Sequence, residues 1–176
     1  MIRLEIAGGD SLLLSSLCAR CPQGPAGCCA SPPALAWADI GRVVLHRGLE
    51  WLLDEIRAGR LRPGPRGLSI LRPGAPAKCT YHGPTGCTIP PDRRSATCNY
   101  YLCDDALADG GEPHAAHVAV EALTGLYGKW DVEIGERVRG LWPEGPAWDA
   151  AFLAWLGEEH RRRLVRDRRA IGRLRG

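Results

Sequence analysis

Eight cysteines fall into two groups, each inside a stretch too rich in proline and glycine to be helical. The first group is Cys18-x2-Cys21-x6-Cys28-Cys29, and the second is Cys79-x7-Cys87-x10-Cys98-x4-Cys103. Between them lie 49 residues without cysteine, and 73 more follow Cys103. Pro22, Gly24, Pro25, Gly27, Pro32 and Pro33 punctuate the first stretch; Gly83, Pro84, Gly86, Pro90 and Pro91 punctuate the second. Both read as ordered loops that lack an apolar run to fix them and so need a crosslink. Soft thiolate donors gathered in this way make a metal the simplest one.

Disulfides are the competing crosslink, and they belong to oxidising compartments. The first ten residues carry two acids and two glycines, and Leu12-Leu13-Leu14 is too short for a secretion-signal core. Nowhere do about 18 apolar residues run unbroken, so no transmembrane helix is expected. Cysteine is also sparser than the roughly 8–10% of disulfide-dense secreted scaffolds. These features predict a cytoplasmic protein with reduced thiols and no membrane association.

Which metal is less constrained. Only Cys18-x2-Cys21 has the knuckle form of small zinc modules, and the spacings of the second group fit no common zinc ribbon or finger. In an extended backbone the neighbouring Cys28 and Cys29 point to opposite sides. They then serve different centres, or one ligates while the other packs. Eight thiolates complete two four-cysteine sites, or one with spares. Four cysteines hold Zn2+ or an iron–sulfur cluster equally well by count.

The ordered set Cys18-x2-Cys21-x6-Cys28-Cys29, Cys79-Thr80-Tyr81-His82, Cys87-Thr88-Ile89, Arg94-Ser95-Ala96-Thr97-Cys98 and Cys103 resembles the YkgJ-like cysteine-cluster family. The resemblance spans residues 18 to 103 and implies a zinc- or iron-chelating domain in which all eight cysteines are candidate ligands. His82 stands where the family has leucine, Pro90 where it has tyrosine, and Ser95 where it has the proline of Arg-Pro. These departures bear on loop shape and leave every cysteine in place. The family is also similar to the cysteine-rich part of flagellin lysine methylases, which implies a 4Fe–4S cluster in preference to zinc.

Around the loops, Ile2 to Ile6 alternates apolar and charged residues, the period of a short edge strand. Asp39 is the expected N-cap of a helix with Ile40, Val43 and Val44 on one face, stopping at Gly48. A second helix is expected from Leu49 to Ala58 with Gly59 after it, then a short strand at Leu68-Ser69-Ile70-Leu71. Two helices meeting at Gly48 form a hairpin that brings the cysteine groups together in space. Amphipathic helices follow over His114–Tyr127 and Pro146–Leu156. The expected fold is mainly α with a few short strands: a single metal-centred domain, 1–159, with two cysteine-rich loops on a helical frame, followed by an arginine-rich helix or tail, 160–176.

That tail holds eight arginines against one acid, net +7, whereas residues 1–159 are net −4. It is either a contact for a protein or nucleic-acid partner or a packed helix, since Leu164, Val165, Ile171 and Leu174 run through it. It has no aromatic residue to stack on a base. His82 is either a further ligand or thiolate hydrogen-bond donor, or a surface loop histidine. His114 and His117 share a helix face at metal-binding spacing but lack a carboxylate partner. Arg93-Arg94 either steadies thiolate charge or forms an ordinary ion pair. The six tryptophans, at 37, 51, 130, 142, 148 and 155, read as core and interhelical packing.

No glycine-rich phosphate loop, nucleophile elbow or HExxH motif is present, and no catalytic residue can be assigned. The expected function is that of a metalloprotein holding an iron–sulfur cluster, redox-active or serving a modification reaction. The alternative is a zinc-stapled adaptor acting through a partner.

Overall fold

The fold is organised on the apolar stripe of helix α1, Trp37–Arg47. The computed structural model describes residues 2–7, 10–15, 32–73, 79–83, 86–100 and 113–169. Cys18, Cys21, Cys28, Cys29 and Cys103 lie outside these residues, as do Ile171 and Leu174. Trp37, Ala38, Ile40 and Val43 of α1 are buried. The helix ends at Gly48, whose φ of 77° is a left-handed conformation that favours glycine. The cap differs from expectation. Ala36 occupies the N-cap, and Asp39 sits inside the first turn with its carboxylate accepting the Ala36 N–H at 3.2 Å.

Helix α2, Glu50–Arg57, is followed by Gly59 at φ 69°, as its sequence predicts. Strands β3 (Leu61–Gly64) and β4 (Gly67–Ile70) then pair antiparallel. Leu68 of β4 exchanges both backbone hydrogen bonds with Leu35, at 2.8 and 2.9 Å. A Cβ on Gly67 would stand 2.2 Å from the Leu35 carbonyl oxygen, so only glycine permits this approach. The expected edge strand is β1 (Ile2–Ala7), and its partner β2 (Asp10–Ser15) contains the Leu12–Leu14 run.

Two long helices complete the frame. Helix α4 (Pro113–Leu141) extends the expected His114–Tyr127 helix by 14 residues, because Tyr127, Trp130, Ile134 and Val138 continue its buried stripe. Helix α5 (Ala150–Arg166) starts later than Pro146, where the Asp149 side chain accepts the Phe152 N–H at 2.9 Å. It runs without interruption across the 159/160 boundary. α1 packs on α5 and α4, whereas α2 packs on β3. The expected pairing of the helices either side of Gly48 therefore gives way to longer-range packing.

The α1–α5 crossing is close because both helices present glycine. A Cβ at Gly41 would lie 2.6 Å from the Leu156 carbonyl oxygen, and one at Gly157 would lie 2.7 Å from Val44 Cγ1. At one end of the crossing, Trp37, Trp142, Trp148 and Trp155 surround Phe152 with ring centroids 5.2–6.2 Å away. Trp130 is fully buried and donates to Asp167 at 2.7 Å, so the tryptophans pack as expected. The architecture is mainly helical with short antiparallel strand pairs, and no helix among the described residues is long and apolar enough to cross a membrane.

Candidate metal centre

Three of the eight cysteines are described, and all three lie on a segment fastened to the frame by buried polar contacts. Cys79 opens a turn in which its carbonyl accepts the His82 N–H at 2.9 Å. Strand β5 (His82–Gly83) then pairs antiparallel with β6 (Gly86–Cys87), setting His82 opposite Cys87. The flanking pair Tyr81/Thr88 carries a hydrogen bond from Thr88 N–H to Tyr81 O at 2.8 Å. His82/Cys87 is therefore the closer, non-hydrogen-bonded kind of pair, with both side chains on one face.

Two anchors fix this hairpin. Tyr81, buried, donates its hydroxyl to the buried carboxylate of Glu55 on α2 at 2.5 Å. Arg60 pairs bidentately with the same carboxylate, at 2.5 and 2.8 Å, and holds its pKa below the usual range. Burial, reinforced by Glu55, pushes the Tyr81 phenol up, so it remains a proton donor. The second anchor is the Thr80 N–H, which donates to Leu71 O at 3.0 Å.

Beyond Cys87 the chain is fastened to α1. A 3-10 turn (Pro91–Arg93) leads to helix α3 (Ala96–Tyr100), which carries Cys98. The buried Arg42 of α1 donates to the carbonyls of Asp92, at 2.9 Å, and Arg94. The Asp39 carboxylate, which already binds the Ala36 N–H, accepts the Ala96 N–H at 2.7 Å. Ser95 caps α3, its hydroxyl accepting the Cys98 N–H at 3.1 Å. The serine that replaces proline in the resembled motif thus has a local structural use.

The other candidate residues are distributed unevenly. His82 is half-buried, and its Nε2 is enclosed with no hydrogen-bond partner, so it is not an ordinary surface histidine. Arg94 is buried and donates its Nε to Ile89 O at 2.8 Å; no carboxylate pairs with it among the described residues. Arg93 lies over the Trp51 ring, 5.7 Å from its centroid. His114 and His117 are on the first turns of α4, and their side chains lie outside those described. Among the described residues, no three Cys, His, Asp or Glu side chains converge as a metal site.

Much of the arginine tail is neutralised within the fold. Arg163 pairs with Glu159 at 2.8 Å and Glu133 at 3.1 Å, and Arg166 reaches Glu133 at 2.8 Å. Arg161 and Arg162 pair with Glu158 at 2.8 and 3.2 Å. Glu159, only 1% exposed, also receives Arg137 and Arg162. Through residue 166 the basic run is the packed helix α5, one of the two readings of its sequence.

Sequence reasoning missed the fastening roles of Asp39, Arg42, Glu55 and Ser95. Asp39 was legible only as a cap, because its second partner, Ala96, is 57 residues away. Ser95 had a signal of its own, a serine just before a short helix in a proline-rich stretch. No protein-family model, curated protein or solved structure matches this chain.

Proposed function

We propose that the chain is a metalloprotein in which cysteines of both groups hold one metal–thiolate centre, a single 4Fe–4S cluster rather than two independent sites. The observation that carries this reading is that both ends of the first cysteine loop dock on the segment holding Cys98. β2, which leads into Cys18 three residues after Ser15, lies against α3 and the 3-10 turn. A reach of at most about 11 Å separates Ser15 from Cys18. On the other side, Ala36, seven residues past Cys29, shares the Asp39 carboxylate with Ala96, two before Cys98.

The residues fit such a group. The donors are soft thiols, and an enclosed, unpartnered imidazole nitrogen and a buried guanidinium stand on the same segment. Cys79, Cys87 and Cys98, with Cys18, Cys21, Cys28, Cys29 and Cys103, would supply the ligands; a bound 4Fe–4S cluster would supply one-electron chemistry. Asp39, Arg42, Tyr81 and Glu55 hold the segment through the backbone and side-chain hydrogen bonds described above. The resemblance to the YkgJ-like family supports iron–sulfur over zinc, and the reduced thiols of such a centre suit a cytoplasmic protein.

Anaerobic purification followed by iron, sulfide and zinc analysis tests this. A brown protein absorbing near roughly 400 nm, with about four iron and four sulfide per chain, is expected. Stoichiometric zinc without sulfide assigns the zinc-stapled adaptor instead. Less than about a tenth of an equivalent of either metal, with the cysteines in disulfides, discards the metal reading.

A further inference from the structure

The segment between Cys79 and Cys98 holds buried polar atoms without partners and more arginines than carboxylates. His82 Nε2 is enclosed and unpartnered, on the face it shares with Cys87. Arg93 Nε is likewise enclosed without a partner. Arg94, 7% exposed, donates its Nε to the carbonyl of Ile89, two residues past Cys87. A buried guanidinium without a carboxylate is costly, because desolvation is not offset by an opposite charge. Asp92, two residues before Arg94, directs Oδ2 to Arg47 at 2.6 Å, and its Oδ1 is enclosed without a partner. Elsewhere among the described residues buried charges are matched, as Arg163 is by Glu159 and Arg42 by Asp39. Arg47, Arg93 and Arg94 thus stand around a single carboxylate, and this positive surplus beside one strand end is what an anionic occupant would offset.

We propose that His82 and Arg94 serve the anionic sulfurs of the centre once it is filled, His82 then donating an N–H to the Cys87 thiolate and Arg94 supplying counter-charge. Four thiolates around either Zn2+ or a 4Fe–4S cluster carry net negative charge, and buried sulfur accepts N–H hydrogen bonds in place of water. Both are positioning residues, neither is a ligand, and the inference rests on the metal-centre reading above. His82 departs from the leucine of the resembled motif, so the donor belongs to this chain.

Chelator competition on the metal-loaded protein tests the pair without requiring an assigned activity. His82→Leu and Arg94→Met are expected to weaken metal retention about 10–100-fold while leaving metal stoichiometry unchanged. His82→Gln, which keeps an N–H donor, and Arg94→Lys, which keeps the charge, are expected to stay close to the parent. If the cluster is iron–sulfur, its reduction potential falls in the Leu and Met variants and not in the Gln and Lys variants. Release at the parent's rate from His82→Leu and Arg94→Met overturns the inference, as does an equal loss in His82→Gln, which would make the imidazole a ligand or a packing element. A parent chain that binds no metal overturns the underlying reading instead, so the two failures are distinguishable.

Discussion

Asp131 on α4 accepts the Ala38 N–H at 2.7 Å, placing a carboxylate against the first turn of α1. Burial, joined by the negative charge of Asp39, pushes its carboxyl up to about 7 against the stabilising pull of that N–H. Between about 4 and about 7 the folded protein therefore binds a proton that the unfolded chain has released. Stability falls as pH rises through this window and levels off above it. Asp131→Asn keeps an acceptor for Ala38 but cannot ionise. Its stability relative to the parent is expected to improve between pH 5 and pH 8 by on the order of 2 kcal/mol, read from urea unfolding. Glu55, Glu133, Glu158 and Asp167 are held below their ordinary carboxylate values by hydrogen bonds and charge from their arginines, so they stay ionised between pH 5 and pH 8 and do not obscure the effect. A stability difference independent of pH would reject the assignment.

At the scale of elements, the α1–α5 crossing depends on the absence of side chains at two positions. Gly41→Ala would press a methyl against the Leu156 carbonyl and His160 Cβ, 2.6 and 2.8 Å away, both on a packed helix that cannot move aside cheaply. It is expected to cost about 1–3 kcal/mol. Gly128→Ala on the open face of α4 meets nothing within 4 Å and is expected to stabilise by up to about 1 kcal/mol. Parallel thermal melts decide the matter, and equal effects at the two sites would show that the crossing is looser than its geometry. The same contrast explains what the sequence disclosed. Helix α2 was legible because its apolar stripe ends at a glycine. The length of α4 was hidden because Gly125, Gly128 and Gly135 punctuate a helix whose neighbours supply the stability. β2 was read as a short apolar run because its partner strand, not its own pattern, defines it. The true partners of α1 lie about a hundred residues downstream, beyond the reach of local periodicity.

Across the whole molecule, cysteine spacing was enough to nominate ligands, since the chemistry of a soft metal is written in residue type. The apparatus that holds Cys79, Cys87 and Cys98 was not legible, because it is made of single long-range contacts from Asp39, Arg42 and Glu55. The arginine tail shows the same limit, for its charge count gives no hint of Glu133 and Glu159. Two truncations separate its structural from its binding role. Ending the chain at residue 159 removes Arg162, Arg163 and Arg166 with the buried His160, and leaves Arg137 as the counter-charge of Glu159 among the described residues. Breaking a buried pair of this kind costs about 3–5 kcal/mol, so a large fall in melting temperature is expected. Ending it at residue 167 keeps α5, its ion pairs and the Trp130–Asp167 hydrogen bond, and removes Arg168, Arg169, Arg173 and Arg175. That shorter deletion is expected to melt close to the parent. If the intact chain binds an oligonucleotide in a salt-sensitive manner and the 1–167 form does not, the four distal arginines carry the contact. If the intact chain binds none, the basic run serves the fold alone. A 1–167 form that melts as low as the 1–159 form would show that the last nine residues, not the ion pairs of α5, hold this end of the molecule together.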